Sequence, residues 1–337
     1  MNRSSHRNSQ SAGGFARAKW FVVAAVLMLS GASLFTPASA QQLTPLRVTN
    51  FQNTVVLGLY HGIDKGYFKE AGLDLQIVRV ATGAASVSAV ASNQADIGWA
   101  ATTVPIFARS NGVNVKAFMT ADQEGPPDHY GVFIDATAKS GINSFADLKG
   151  KTVMINAFGT AGELAIRDRL QKAGISWDDV KKITVPFPQM QAALELGNAD
   201  VAVTIQPMHA SIMANKAIGA KVLDVGTLSD SRTKPATASV YFATDEWLAK
   251  NEKLAIAFGR AFLRAQKEVH ADPKLRLELV MKIAGMDEAT AKTVPEAWFE
   301  TIAITKEATA SAYDTLIRTG MMTKTFPVED VIATLPF

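Results

Sequence analysis

The chain has no cysteine. That single absence removes disulfides, thiol nucleophiles, cysteine-ligated metal sites and a lipidated cysteine anchor. A chain without cross-links must be held by its own core, and roughly 300 residues are enough for one large or two medium domains. No Lys/Arg-rich tract is present, which excludes the charge pattern of a nucleic-acid partner. Long apolar runs are missing too: the longest, Trp20 to Leu29, is too short to span a bilayer comfortably. It follows Arg3, Arg7, Arg17 and Lys19 and precedes Pro37-Ala38-Ser39-Ala40, a small-x-small cleavage pattern. Residues 1–40 are therefore expected to be a secretory signal peptide cleaved after Ala40, with the product free in the periplasm. Those four cations have no acidic counterweight, so losing them takes the formal charge from +3 to −1. The basic balance belongs to the targeting segment.

Several catalytic patterns are absent as well. There is no Gly-x-Ser-x-Gly elbow and no full phosphate-loop pattern, and no period of 20 to 50 residues runs through the chain. His61, His129, His209 and His270 are scattered, and none has a second His or a carboxylate four residues on. No metal, no cofactor and no catalytic residue is expected.

What is present is an alternation of short apolar runs with helix-period segments. Candidate strands are Leu46 to Asn50, Leu73 to Arg79, Asp96 to Ala100, Val115 to Thr120, Tyr130 to Asp135, Thr152 to Asn156, Lys182 to Val185, Asp200 to Ile205, Lys221 to Val225 and Ser239 to Ala243. Their spacing predicts parallel β-α-β units and an α/β fold. Ser144-x-x-Asp147, Thr160-x-x-Glu163 and Ser176-x-x-Asp179 read as capping boxes, and Gly66, Gly150, Gly174, Gly197 and Gly219 stand where helices should stop. From Thr244 the period is helical, with Leu254, Phe258, Ala261, Phe262, Ala265 and Val269 on one stripe.

One pairwise echo stands out. Ala89 to Pro105 and Ala193 to Pro207 each read as a helix end, a turn with Asn, then Ala-Asp and an apolar strand, Asp96 matching Asp200. Two lobes of similar build follow: one of residues 45–135 and 239–337, the other of 141–227. They would be joined by a double-crossover hinge near 135–141 and 227–238, where Gly, Ser, Thr and Pro cluster.

Tyr60 to Val78, YHGIDKGYFKEAGLDLQIV, resembles the signature after the first strand in periplasmic binding proteins of the nitrate, sulfonate and taurine importer group, SsuA-like and NMT1/THI5-like. Ile142 to Val153 looks like the segment that opens their second lobe. The resemblance implies a periplasmic-binding-protein-like type II fold of two α/β lobes. It also implies a monomer that binds a small solute between the lobes and delivers it to an ABC permease and, through that permease, its ATPase. A same-fold ligand presenter to a membrane sensor, and a pyrimidine-precursor-binding or -synthesising protein, are the alternatives.

Such a fold gathers its ligand beyond the carboxyl ends of the strands, where helix N-termini offer unpaired N–H groups. The candidate ligand-binding residues are Phe51, Gln52, Asn53, Thr82, Gly83, Ala101, Thr102, Thr103, Phe158, Gly159, Thr160, Ala161, Gln189, Gln206 and Tyr241. The stretch INAFGTAGELAI, Ile155 to Ile166, carries most weight, since Gly159 permits close approach and the N–H groups after Thr160 supply donors. The preferred ligand is a small organic anion of the sulfonate, taurine, nitrate or carboxylate class, with a neutral heterocycle or amide as the alternative. Trp99 is assigned to the core.

Overall fold

Apolar runs of four to ten residues form strands, and the intervening helical periods cover them. The structure, a computed structural model, describes residues 42–125, 131–228, 236–299 and 301–337. The expected signal peptide, its cleavage point and His129 lie outside the described residues. Along the chain run β1 (Thr44–Asn50), α1 (Leu57–Lys65), α2 (Tyr67–Glu70), β2 (Leu73–Arg79), α3 (Gly83–Ala91), β3 (Gly98–Ala101), α4 (Thr103–Ser110) and β4 (Val115–Glu124). Next come β5 (Phe133–Ala136), β6 (Thr152–Ile155), α5 (Ala161–Lys172), β7 (Lys181–Thr184), α6 (Phe187–Glu195), β8 (Val201–Thr204), α7 (Met208–Ala214) and β9 (Lys221–Val225). The last part holds β10 (Ala236–Thr244), α8 (Asp245–Ala271), α9 (Pro273–Ala284), α10 (Glu288–Ala291) and α11 (Lys306–Arg318).

The second lobe is built on the five-stranded sheet β7-β6-β8-β5-β9, with β6 parallel to both neighbours and β5 antiparallel to both of its own. The first lobe repeats that plan. Its β1 and β2 are parallel, β3-β10-β4 form a ladder with β10 antiparallel, and a parallel bridge from Val48 to Ile97 joins the two pieces. In each lobe the antiparallel strand is the first one after a crossing: β5 opens the second lobe and β10 returns to the first.

The Ala-Asp echo has a physical meaning. Asp96 accepts a hydrogen bond from Arg47 N at 2.8 Å and donates its own N–H to Arg47 O at 2.9 Å. Asp200 does the same with Thr152, at 2.8 and 2.9 Å. In each lobe the Asp before the third parallel strand ties the start of that strand to the first, where the ladder alone would leave an amide unpaired.

The first crossing between lobes differs from expectation. The sequence places β5 in the first lobe and the crossing near 135–141, whereas β5 pairs with β8 and β9, so the chain changes sheet between Glu124 and Phe133. Alternation locates a strand, not its partners, so the sheet that β5 joins is invisible to it. The Gly141 region is instead a 3-10 turn, Ala138–Ser140, closed by Gly141 at φ +69°. The return crossing lies between Val225 and Ala236, partly outside the described residues. Glu124, at the end of β4, accepts bonds from Thr227 N at 2.7 and 2.9 Å and from Thr227 Oγ1 at 2.7 Å, binding the start of one crossing to the start of the other.

The apolar stripe of α8 packs as read. Phe258 and Phe262 are fully buried under β10 and β4, edge-on to Tyr241 at 5.0 and 5.4 Å, while Arg260, Arg264 and Lys267 face solvent. The capping boxes of Ser144 and Ser176 form, and all five helix-stop glycines have positive φ.

Candidate ligand cleft

The strand ends of the two lobes face one cavity. The space enclosed between them is about 70 Å³, and about 620 Å³ when the open solvent at its mouth is counted. The first lobe contributes Phe51 and Val55 from the loop after β1, Gly83 of α3, Trp99 and Ala101 of β3, Val104 of α4, Asp122 of β4, and Ala238 and Ser239 of β10. The second contributes Val132 before β5, Asn156 after β6, Thr160 to Gly162 at the start of α5, Phe187 of α6, Val203 to Ile205 at the end of β8, and Thr227.

Three rings make the apolar walls. Phe51 lies 4.6 Å from Trp99 of its own lobe and 6.1 Å from Phe187 of the other, stacked on the latter. Asn53 sets this loop without touching the cavity. Its Oδ1 accepts from Val55 N at 2.9 Å and Val56 N at 3.2 Å, and its Nδ2 donates to Phe51 O at 2.7 Å and Asn50 Oδ1 at 3.1 Å. A buried Asn with its local bonds filled is a turn organiser.

The opening of α5 departs from the expected capping box in an informative way. Thr160 Oγ1 donates backward, to Ala157 O at 2.8 Å and Asn156 Oδ1 at 3.1 Å, and accepts nothing from the helix. Glu163 reaches back to Gly159 N at 2.7 Å and holds Arg167 at 2.6 Å. The first N–H groups of α5 have no intrahelical acceptor by geometry, and the threonine leaves them uncapped beside the cavity.

Of the expected residues, the structure brings Phe51, Gly83, Ala101, Thr160 and Ala161 to the cavity wall. It does not bring the others. Gln52 Nε2 donates to Ile283 O at 2.9 Å, Thr82 caps α3 through Ala85 N at 3.1 Å, and Thr102 Oγ1 donates to Thr237 O at 2.7 Å. Thr103 Oγ1 and Gln206 Nε2 are buried with no partner among the described residues, away from the cavity wall. Phe158 and Gln189 are exposed. Gly159, at φ +73°, admits not a ligand but Phe107 of α4, whose ring would lie 2.8 Å from any Cβ placed there. Tyr241 is fully buried in the core, its hydroxyl unpartnered among the described residues, and burial raises its pKa well above the usual phenol value.

Trp99, Asp122, Asn156, Phe187 and Ser239 line the cavity without having been anticipated. The apolar run that marks β4 in the sequence ends at Thr120 and does not reach Asp122, whereas the strand continues to Glu124. The signal lay in the spacing: Asp122 and Glu124 stand two apart, as residues on one face of a strand do. Asp122 is only 2% exposed. Ser239 Oγ donates to its Oδ1, and Trp99 Nε1 donates to Ser239 Oγ at 3.1 Å. Burial pushes the Asp122 carboxyl up to about 7; the Ser239 bond opposes that shift and the charge of Glu124 adds to it. Among the described residues, no Lys or Arg lines the cavity.

His61, His209 and His270 each sit against one carboxylate, Glu268, Asp135 and Glu296 respectively. Among the described residues no group of three His, Cys, Asp or Glu side chains is placed to hold a metal.

A two-lobed α/β fold with both sets of strand ends on one cavity defines a periplasmic-binding-protein fold of type II. The family model described as NMT1/THI5 like matches residues 53–275, more than half of the chain, and the chain belongs to that family. The candidate binding protein YtlA of Bacillus subtilis is 27% identical over 242 residues, 70% of each chain. A 4-amino-5-hydroxymethyl-2-methylpyrimidine phosphate synthase of Saccharomyces cerevisiae is 26% identical over 217 residues, 62% of each chain. Among solved structures, the alkanesulfonate-binding protein SsuA from Xanthomonas axonopodis pv. citri, bound to MOPS, superposes with a TM-score of 0.73 at 17% identity, covering 86% of this chain and 98% of that one.

Proposed function

We propose that this protein is the periplasmic solute-binding component of an ABC importer. A small organic molecule enters the interlobe cavity, the lobes close on it about the two crossings, and the closed form presents it to a permease. The observation that carries this reading is the cavity itself: both lobes supply aromatic walls and strand-end polar groups to one space, so a bound solute contacts both and stabilises the closed form. Family membership and the likeness to binding proteins support it. The relation to a pyrimidine phosphate synthase raises an enzymatic alternative. Binding without turnover is our reading, because the cavity combines apolar rings with few polar side chains and the chain has no cysteine. The expected organic anion draws support from the uncapped N–H groups of α5 and meets opposition from the Asp122 carboxylate in the facing lobe. The test is small-angle scattering of refolded, ligand-free protein before and after adding the compound that co-purifies with it. Compaction on addition is expected; an unchanged profile, or chemical conversion of the compound, contradicts the proposal.

A further inference from the structure

We propose that Asp122 selects the solute by charge, so that the cleft takes a small flat molecule carrying an N–H donor (an amine, amidine or amide) and rejects simple sulfonates, carboxylates and nitrate. This rests on the reading of the cavity as the solute site. The argument is an inventory of donors. Trp99 Nε1 is committed to Ser239 Oγ, and the Ser239 hydroxyl hydrogen to Asp122 Oδ1. The Thr204 hydroxyl donates to Asp135 Oδ2 at 2.8 Å. Thr227 gives both its N–H and its hydroxyl to Glu124, and Thr160 gives its hydroxyl to Asn156 and Ala157. A hydroxyl has one hydrogen, so none of these side chains retains a donor for an anion.

The Asp122 carboxyl takes its hydrogen bonds from Ser239, through the hydroxyl and the backbone N–H, all on one side; on the facing wall the Asn156 side chain accepts from Thr160 through Oδ1 and keeps Nδ2 as a donor. A carboxylate has about four acceptor sites, so the first-lobe wall presents spare acceptor capacity, with the Glu124 carboxylate two residues along the same strand, and the second-lobe wall presents Asn156 Nδ2 and the open N–H groups of α5. Nothing cationic among the described wall residues offsets Asp122. Above about pH 7, where Asp122 has lost its proton, an anion placed here would bring like charge against a buried carboxylate, while a donor N–H adds a bond to an acceptor that burial leaves expensive. Phe51, Trp99 and Phe187 favour a planar apolar body between the two polar ends.

The experiment is calorimetric titration at pH 8, where Asp122 is ionised, of the protein refolded from denaturant to remove bound solute, with shape-matched probes: benzamidine and benzamide against benzoate, benzenesulfonate and nitrate. Native mass spectrometry of unrefolded protein identifies any retained compound. An N–H-bearing probe is expected to bind, with each anion roughly ten- to a hundredfold weaker. Asp122→Asn should abolish that preference, weakening benzamidine at least roughly tenfold while benzoate holds or gains. Anions binding the wild type as well as benzamidine, an unchanged preference in Asp122→Asn, or a retained compound without an N–H group each overturn the proposal and leave the cleft reading standing. No retained compound together with no response to any probe overturns both.

Discussion

Burying Asp122 costs the fold stability at neutral pH, and the cost can be measured by removing the charge. The carboxyl has an ordinary value of 3.8 and stands at about 7 when folded, chiefly through burial, with Glu124 adding and Ser239 opposing. The titratable neighbours are Glu124 along the strand and Tyr241 opposite, which remains neutral in this range. A folded value above the unfolded one means that the native state holds a proton the unfolded chain has lost. The favourable contribution is complete below about pH 4 and is lost as pH rises to about 7. About three units of displacement correspond to roughly 4 kcal/mol in all, of which about 2–3 kcal/mol falls between pH 5 and 8. Asparagine keeps the shape and cannot ionise, so Asp122→Asn should gain on the wild type by that amount across the same interval. Urea unfolding of refolded, ligand-free protein at pH 5, 6, 7 and 8 reads the gap directly. A gap between the two proteins that stays constant to within about 0.5 kcal/mol from pH 5 to 8 would refute the reasoning.

Other consequences follow from the same geometry. Asp96→Ala and Asp200→Ala should each cost about 1–3 kcal/mol by urea unfolding, since each leaves a strand amide without its acceptor. Lying in different lobes with no shared partner, their costs should add within about 0.5 kcal/mol in the double variant. Gly159→Ala imposes a left-handed φ on a residue with a Cβ, about 1–2 kcal/mol, and drives that atom into Phe107 of the other lobe. A larger radius of gyration by scattering is expected; an unchanged radius and melting temperature would count against close lobe contact there. Glu124→Ala removes the acceptor of the Thr227 amide and hydroxyl, so hydrogen exchange at Thr227 should quicken while that of the β1 amides holds.

The strands were legible because each is a short apolar run bounded by turn residues, and all ten candidates overlap observed strands. The Ala-Asp echo revealed the two-lobe plan because Asp96 and Asp200 do the same hydrogen-bonding work. The sheet to which β5 belongs was not legible, since β5 pairs with strands more than sixty residues later in the chain. At the cavity, sequence located the corners but not the side chains. Ala101 reaches the wall while the next residue, Thr102, turns to Thr237 O. Ser239 lines the cavity while Tyr241, two residues on, lies deeper under α8. Such choices depend on pleat, bulges and the facing lobe, which no local pattern encodes.

The account is tested most directly by a crystal structure of the protein as purified, without denaturation. It predicts one small molecule between the lobes, its body against Phe51, Trp99 and Phe187, with one end at Asp122 and the other at Asn156. A solute bound on the outer surface of either lobe, or lobes whose cavity stays empty while the compound that co-purifies sits elsewhere, would contradict it.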